Sequence, residues 1–82
     1  MNGDLVQIAP GDLVRVVQHG AVCWDVLQLS LSEALRVPGG TPGLVIELAP
    51  KHSTGLGRGA VRAIFGALGP RWIRRGNLDL IL

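Results

Sequence analysis

Four side chains with the chemistry of a nucleophile, a base or a metal ligand stand in this sequence at His19, Cys23, Asp25 and His52. A thiolate made by a neighbouring imidazole attacks electrophiles, but it also needs a third group to orient the base and donors for the developing oxyanion. The sequence supplies neither, and Cys23 sits beside Val22 and Trp24 as a packed cysteine does. As metal ligands the same residues lack a close ligand pair, and structural zinc takes four ligands. The expectation is a chain with no catalytic residue, no cofactor and no metal.

A second string with chemical potential is Gly55-Leu56-Gly57-Arg58-Gly59-Ala60, which matches G-x-G-x-x-A. A dinucleotide fingerprint needs a strand directly before this string, a helix directly after it, and a parallel strand with an acid about 20 residues on. Asp79 has the spacing, and Val61, Ile64, Phe65 and Leu68 fall at helical intervals. Against that reading, Ala49 to Thr54 separate the string from the preceding apolar run. The 22 residues after Ala60 also leave no room for a second half to enclose a dinucleotide. A glycine-rich loop is expected instead, in which Arg58 and the backbone amides are able to form an anion nest.

Positioning such residues requires strands, and the clearest are Asp12 to Gln18 and Gly43 to Leu48. In Asp12 to Gln18, Val14 and Val16 share one face and Arg15 takes the other; Gly43 to Leu48 is a second apolar run rich in branched residues. From Ala60 to Phe65 the chain runs apolar, turns at Gly66 to Pro70, and returns as Arg71-Trp72-Ile73-Arg74-Arg75. There Ile73 points inward while Trp72 and Arg74 take the outside. Gly76-Asn77 breaks that strand, and Asp79 to Leu82 forms the last one. Residues 1–10, with Leu5 to Ile8, read as an arm and a potential edge strand.

Residues 19–42 read as a long protruding loop. Leu27, Leu29 and Leu31 alternate with Gln28, Ser30 and Ser32. Ser30 and Glu33 then match a capping box, with Leu31 and Leu35 one helical turn apart, so a short helical turn is expected before Val37. These leucines suit either a contact surface or a lid over the open end of the core.

At 82 residues the chain allows a single domain, and a domain this small buries only about 60 % of its unfolded surface. Hydrophobic residues make up 48 % and charged ones 17 %, below the usual charged share of about 25 %, so apolar side chains are expected to face a partner. The twelve glycines and short loops offer the other explanation. One cysteine excludes an internal disulfide and fits a reducing compartment. No signal-peptide pattern and no run of about 18 apolar residues occurs, giving the expectation of a soluble protein made in the cytosol, with no membrane partner.

Charge is uneven. Residues 1–50 carry Arg15 and Arg36 against Asp4, Asp12, Asp25, Glu33 and Glu47, leaving −3; residues 51–82 carry Lys51, Arg58, Arg62, Arg71, Arg74 and Arg75 against Asp79, leaving +5. A hairpin that collects Arg62, Arg71, Arg74 and Arg75 around Trp72 would make a basic edge. It would serve as a solvated face complementary to a neighbouring subunit or as a nucleic-acid surface.

In order and pattern these elements resemble a small five-stranded barrel of the Src-homology-three type, all-β, with a long first loop carrying the helical turn. The resemblance covers about residues 11–82. That loop lacks the aromatic and acidic residues by which peptide-binding members hold proline-rich ligands, and the chain has no tyrosine. Closer still, the chain is similar to small barrel proteins encoded by tailed bacteriophages. The similarity lies in its Gly11 to Val14 opening, Gly43 to Val45, the aromatic-basic Arg71 to Arg75, Asn77-Leu78, and the acid-led tail Asp79 to Leu82. What the resemblance implies is a virion component, decorating the capsid or joining head and tail parts. It would be found in the virion and, during assembly, in the host cytoplasm. The expected partners are other subunits, a further copy of the chain among them, met through Leu27, Leu29, Leu31 and Leu35 and through Arg62, Arg71, Trp72, Arg74 and Arg75. Nucleic acid bound by the basic hairpin is the alternative.

Overall fold

Period-two alternation of apolar and polar side chains buries one face of a strand and wets the other, and among the described residues the stretches with that pattern are extended. A computed structural model of the protein describes residues 8–25, 33–49 and 59–81. It contains β1 (Leu13–Val16), β2 (Ala21–Trp24), β3 (Ala34–Val37), β4 (Pro42–Leu48), β5 (Ala60–Ile64), β6 (Pro70–Arg74) and β7 (Leu78–Leu80). Short 3₁₀ turns occupy Gly66–Leu68 and Arg75–Asn77. The protein is all-β, a single antiparallel sheet in the order β3-β2-β6-β5-β4-β1-β7.

Two expectations are corrected. The sheet has seven strands rather than five, because both limbs of the long first loop are themselves paired: Ala21 lies opposite Val37 and Trp24 opposite Ala34. Leu35 itself, expected one helical turn beyond Leu31, is extended, since Ala34–Val37 is a strand. The acid-and-hydroxyl spacing that suggested a cap is overridden locally, as the Glu33 amide donates to Asp25 Oδ1 at 3.1 Å and ties the entry of β3 to the exit of β2. The other members of that pattern, Ser30 and Leu31, lie outside the described residues, as do Leu5 to Gln7 of the arm. Ile8 of the arm is buried in the core.

Four of the remaining strands overlap the stretches that sequence alternation gives, and the last, expected over Asp79 to Leu82, is Leu78–Leu80. Ala60–Ile64 is extended and pairs with both β4 and β6, so the helix that a dinucleotide fingerprint requires after Ala60 is a strand. Residues Gly55 to Arg58 lie outside the described residues.

One core serves the whole sheet. Val14, Val16, Ala21, Cys23, Val37, Val45, Val61, Ala63, Ile73 and Leu78, with Ile8 and Phe65, form a single buried cluster drawn from all seven strands. In a flat sheet β3 and β7 would stand about 29 Å apart, six interstrand spacings of about 4.8 Å. With no second layer among the described residues to cover them, Val37 and Leu78 on the two edge strands are buried only because the sheet curls on itself. A shift of register between Val45 and Glu47 bends β4, which pairs with β1 through its first half and with β5 along its second. The turn between β3 and β4 folds back on β1, with the Gly40 amide donating to the Val16 carbonyl at 2.8 Å. The sheet stays open in its hydrogen bonding, with β3 and β7 as its edges.

Candidate functional site

The outward face of each strand is read directly from the register, because residues opposite one another in an antiparallel pair lie on the same side about 5 Å apart. Leu13 of β1 stands opposite Leu44 of β4, Leu44 opposite Ile64 of β5, and Ile64 opposite Pro70 of β6. Ile81 completes the series, its amide donating to the Leu13 carbonyl at 2.8 Å. Leu13 is 55 % exposed, and Leu44, Ile64 and Ile81 are between 36 % and 39 % exposed. The result is a continuous row of aliphatic side chains across β6, β5, β4 and β1, ending at Ile81 just past β7, with no charge in it. Single exposed leucines are ordinary on a protein surface, whereas a contiguous row is the mark of a contact site.

Charges flank the row in pairs of opposite sign. On one side Arg15 of β1 lies opposite Asp79 of β7; on the other Glu47 of β4 lies opposite Arg62 of β5, their side chains meeting at 3.4 Å. That ion pair is solvated and contributes on the order of 0.5 kcal/mol. Beyond Arg15 a shallow cavity of about 280 Å³ is lined by Arg15, Val16, Gln18, Gly39, Gly40 and Asp79.

Of the residues that the sequence nominated, Arg62 of β5 lies directly opposite Trp72 of β6, and Arg71 and Arg74 lie on β6 beside it. Leu35 lies on the edge strand β3, opposite Cys23 and 36 % exposed; Leu27, Leu29 and Leu31 lie outside the described residues. Trp72 is only 7 % exposed, covered in a small cluster with Ala60, Trp24 and Ala49, so its area is used within the fold rather than offered to a partner. The four arginines differ in their surroundings. Arg62 faces Glu47. Arg71 is half-buried, and its Nε donates to the Leu68 carbonyl at 3.2 Å. Arg74 and Arg75 are exposed. A basic edge built around an accessible indole is therefore not what β6 presents.

Sequence reasoning passed over Leu13, Leu44, Ile64 and Ile81, although a signal existed. Once Val14 and Val16 are assigned inward, Leu13 falls on the same outward face as Arg15. Apolar side chains at outward positions of separate strands are that signal, but only register shows that they align.

The nominated chemical groups are separated by burial. Cys23 is fully buried while His19 is exposed. Burial pushes the Cys23 thiol up from its ordinary value of 9.0, with the Arg71 guanidinium opposing in part. A nucleophilic cysteine needs the reverse shift. Cys23 is expected to resist alkylation in the folded chain and to react at once when urea unfolds it. Because the folded thiol holds its proton above the pH at which the unfolded one gives it up, the folded state binds more protons there. Its stability is complete below about pH 9 and falls as pH rises further. With no tyrosine in the chain to titrate alongside, urea midpoints at pH 7 and pH 10 should show this fall in the wild type and a smaller one in Cys23→Ala. His52 lies outside the described residues, and among the described residues no three His, Cys, Asp or Glu side chains gather as a metal site. No helix among them is long and apolar enough to cross a membrane.

Comparison with family models, with curated proteins and with solved structures finds no match to this chain.

Proposed function

We propose that this chain is a non-enzymatic structural subunit that enters a larger assembly through protein–protein contact, and that the assembly is a bacteriophage particle. The observation that carries the assembly reading is the uncharged row Ile81, Leu13, Leu44, Ile64 and Pro70, presented by four adjacent strands and the residue just past β7, in a domain whose charged share is only 17 %. Burying such a row yields about 25 cal/mol per Å², the currency of assembly rather than of solubility. The particle rests on the resemblance to barrel proteins of tailed phages. In its support, a strand, a long paired excursion, three strands joined in hairpins, a 3₁₀ turn at Arg75–Asn77 and a last strand follow one another as in a barrel of the Src-homology-three type. The nucleic-acid alternative loses its stacking platform with Trp72 covered.

The test is mass spectrometry of gradient-purified particles made from the genome that encodes the chain. A stoichiometric band is expected, and Leu44→Asp should leave the chain folded but missing from the particle. If the wild-type chain stays entirely in the soluble fraction, the particle reading fails. Tight binding to a random oligonucleotide at low salt, lost at high salt, would turn the assignment to nucleic acid.

A further inference from the structure

Resting on the assembly reading, the structure assigns the occupant of the aliphatic row: a second copy of this chain, packed face to face across a two-fold axis. A two-fold interface demands a surface complementary to itself, so that each residue meets its counterpart's partner. The outer face meets that demand in its charges. Because β1 and β4 are antiparallel, stepping from Leu13 to Arg15 and from Leu44 to Glu47 leads in opposite directions across the sheet. The Arg15–Asp79 pair and the Glu47–Arg62 pair therefore stand at diagonally opposite corners of the row. An axis lying between the two sheets, oblique to the strands and passing by Leu13 and Leu44, lays one row across the other at a steep angle, the orthogonal mode of sheet packing. The same operation sets the Arg15–Asp79 pair of each copy over the Glu47–Arg62 pair of the other. Two quartets form, each of two arginines and two carboxylates, with no net charge.

Area makes the quartets necessary. A standard interface takes about 800 Å² from each partner, roughly one-sixth of the chain's 5210 Å². Five part-exposed side chains fall short of that, since the largest apolar patch of a typical monomer is about 300–600 Å². The flanking pairs must enter the contact, and a partner lacking the alternating corners would leave four charges facing nothing.

Sedimentation equilibrium of the full chain over a concentration series tests this. A species of twice the 8.7 kDa mass is expected, and Leu13→Asp should weaken it by about tenfold or more while circular dichroism stays unchanged. Arg15→Glu and Glu47→Arg should each be largely monomeric alone, the first leaving each quartet with three acids and the second with three arginines. Mixed in equal amounts they should dimerise again, because the heterodimer restores both quartets. A single 8.7 kDa species up to about 1 mM overturns the inference, as does a dimer indifferent to Leu13→Asp or a mixture that stays monomeric. These outcomes are separable from the particle test. A monomer that enters particles through Leu44 refutes the second copy alone, and a dimer found in no particle refutes the particle alone.

Discussion

Ile73→Ala is expected to remove about 3 kcal/mol of stability, within the range of about 2–5 kcal/mol for deleting most of a buried aliphatic side chain. Ile73 is fully buried at the middle of the sheet, opposite Cys23 on one side and Val61 on the other. Among the described residues it is the largest of the fully buried side chains. Its cross-strand partners, Val61 and Cys23, are small, and side chains anchored on paired strands have little freedom to close the gap. A domain of this length holds about 4–12 kcal/mol in total, so the loss takes a large share. At about 4–8 °C per kcal/mol for a chain this size, the thermal midpoint should fall by roughly 12–24 °C. Leu13→Ala on the outer face should stay within about 0.5 kcal/mol. Thermal melts of both variants decide the matter: equal shifts would mean that the inner and outer faces are wrongly assigned.

Gly39→Ala should cost about 2–4 kcal/mol, and Gly40→Ala, one residue on, only about 1. Gly40 has φ +83° with nothing near the position of a β-carbon, so alanine there meets backbone strain alone. Gly39 has no such φ, and propensity by itself would welcome alanine. Yet its β-carbon would overlap the Gln18 carbonyl and lie 2.7 Å from the Val17 carbonyl oxygen. Those atoms are backbone and cannot swing away, so the turn must lift off β1. Lifting it strains the Gly40 to Val16 hydrogen bond and its neighbour from the Val16 amide to the Thr41 carbonyl, each worth about 0.5–1.5 kcal/mol, on top of about 1–3 kcal/mol for overpacking. Urea midpoints should rank Gly39→Ala well below Gly40→Ala. The opposite order would show that the β3–β4 turn does not press on β1.

The inward residues of the strands could be read from local alternation. Val14 and Val16 in β1, Ile73 in β6 and the extended Ala60–Ile64 follow from side-chain period, because a half-buried strand writes its two faces directly into its composition. The same holds for the break at Gly76-Asn77 and the closing strand. In β2, Ala21 and Cys23 also alternate with Val22 and Trp24. That strand stayed hidden because four residues are too few to outweigh the length of the segment around them. At β3 the capping spacing of Ser30 and Glu33 competed with the strand, and pairing with β2 decided the contest, since a ladder satisfies backbone groups that one helical turn leaves open.

The outward aliphatic row belongs to the tertiary structure. No local pattern aligns Leu13, Leu44, Ile64 and Ile81, which come from four places in the chain and meet only through register. A slip of one residue in any strand would turn that strand's member of the row inward. Trp72 makes the converse point. Its outward position on β6 was legible from its alternation with Ile73, but its burial depends on Ala60 and Trp24, brought beside it by pairing with β5 and β2. Alternation thus determines which side of its own strand a residue takes, because that depends on the backbone alone. What lies on that side, partner or solvent, is decided by strands distant in sequence.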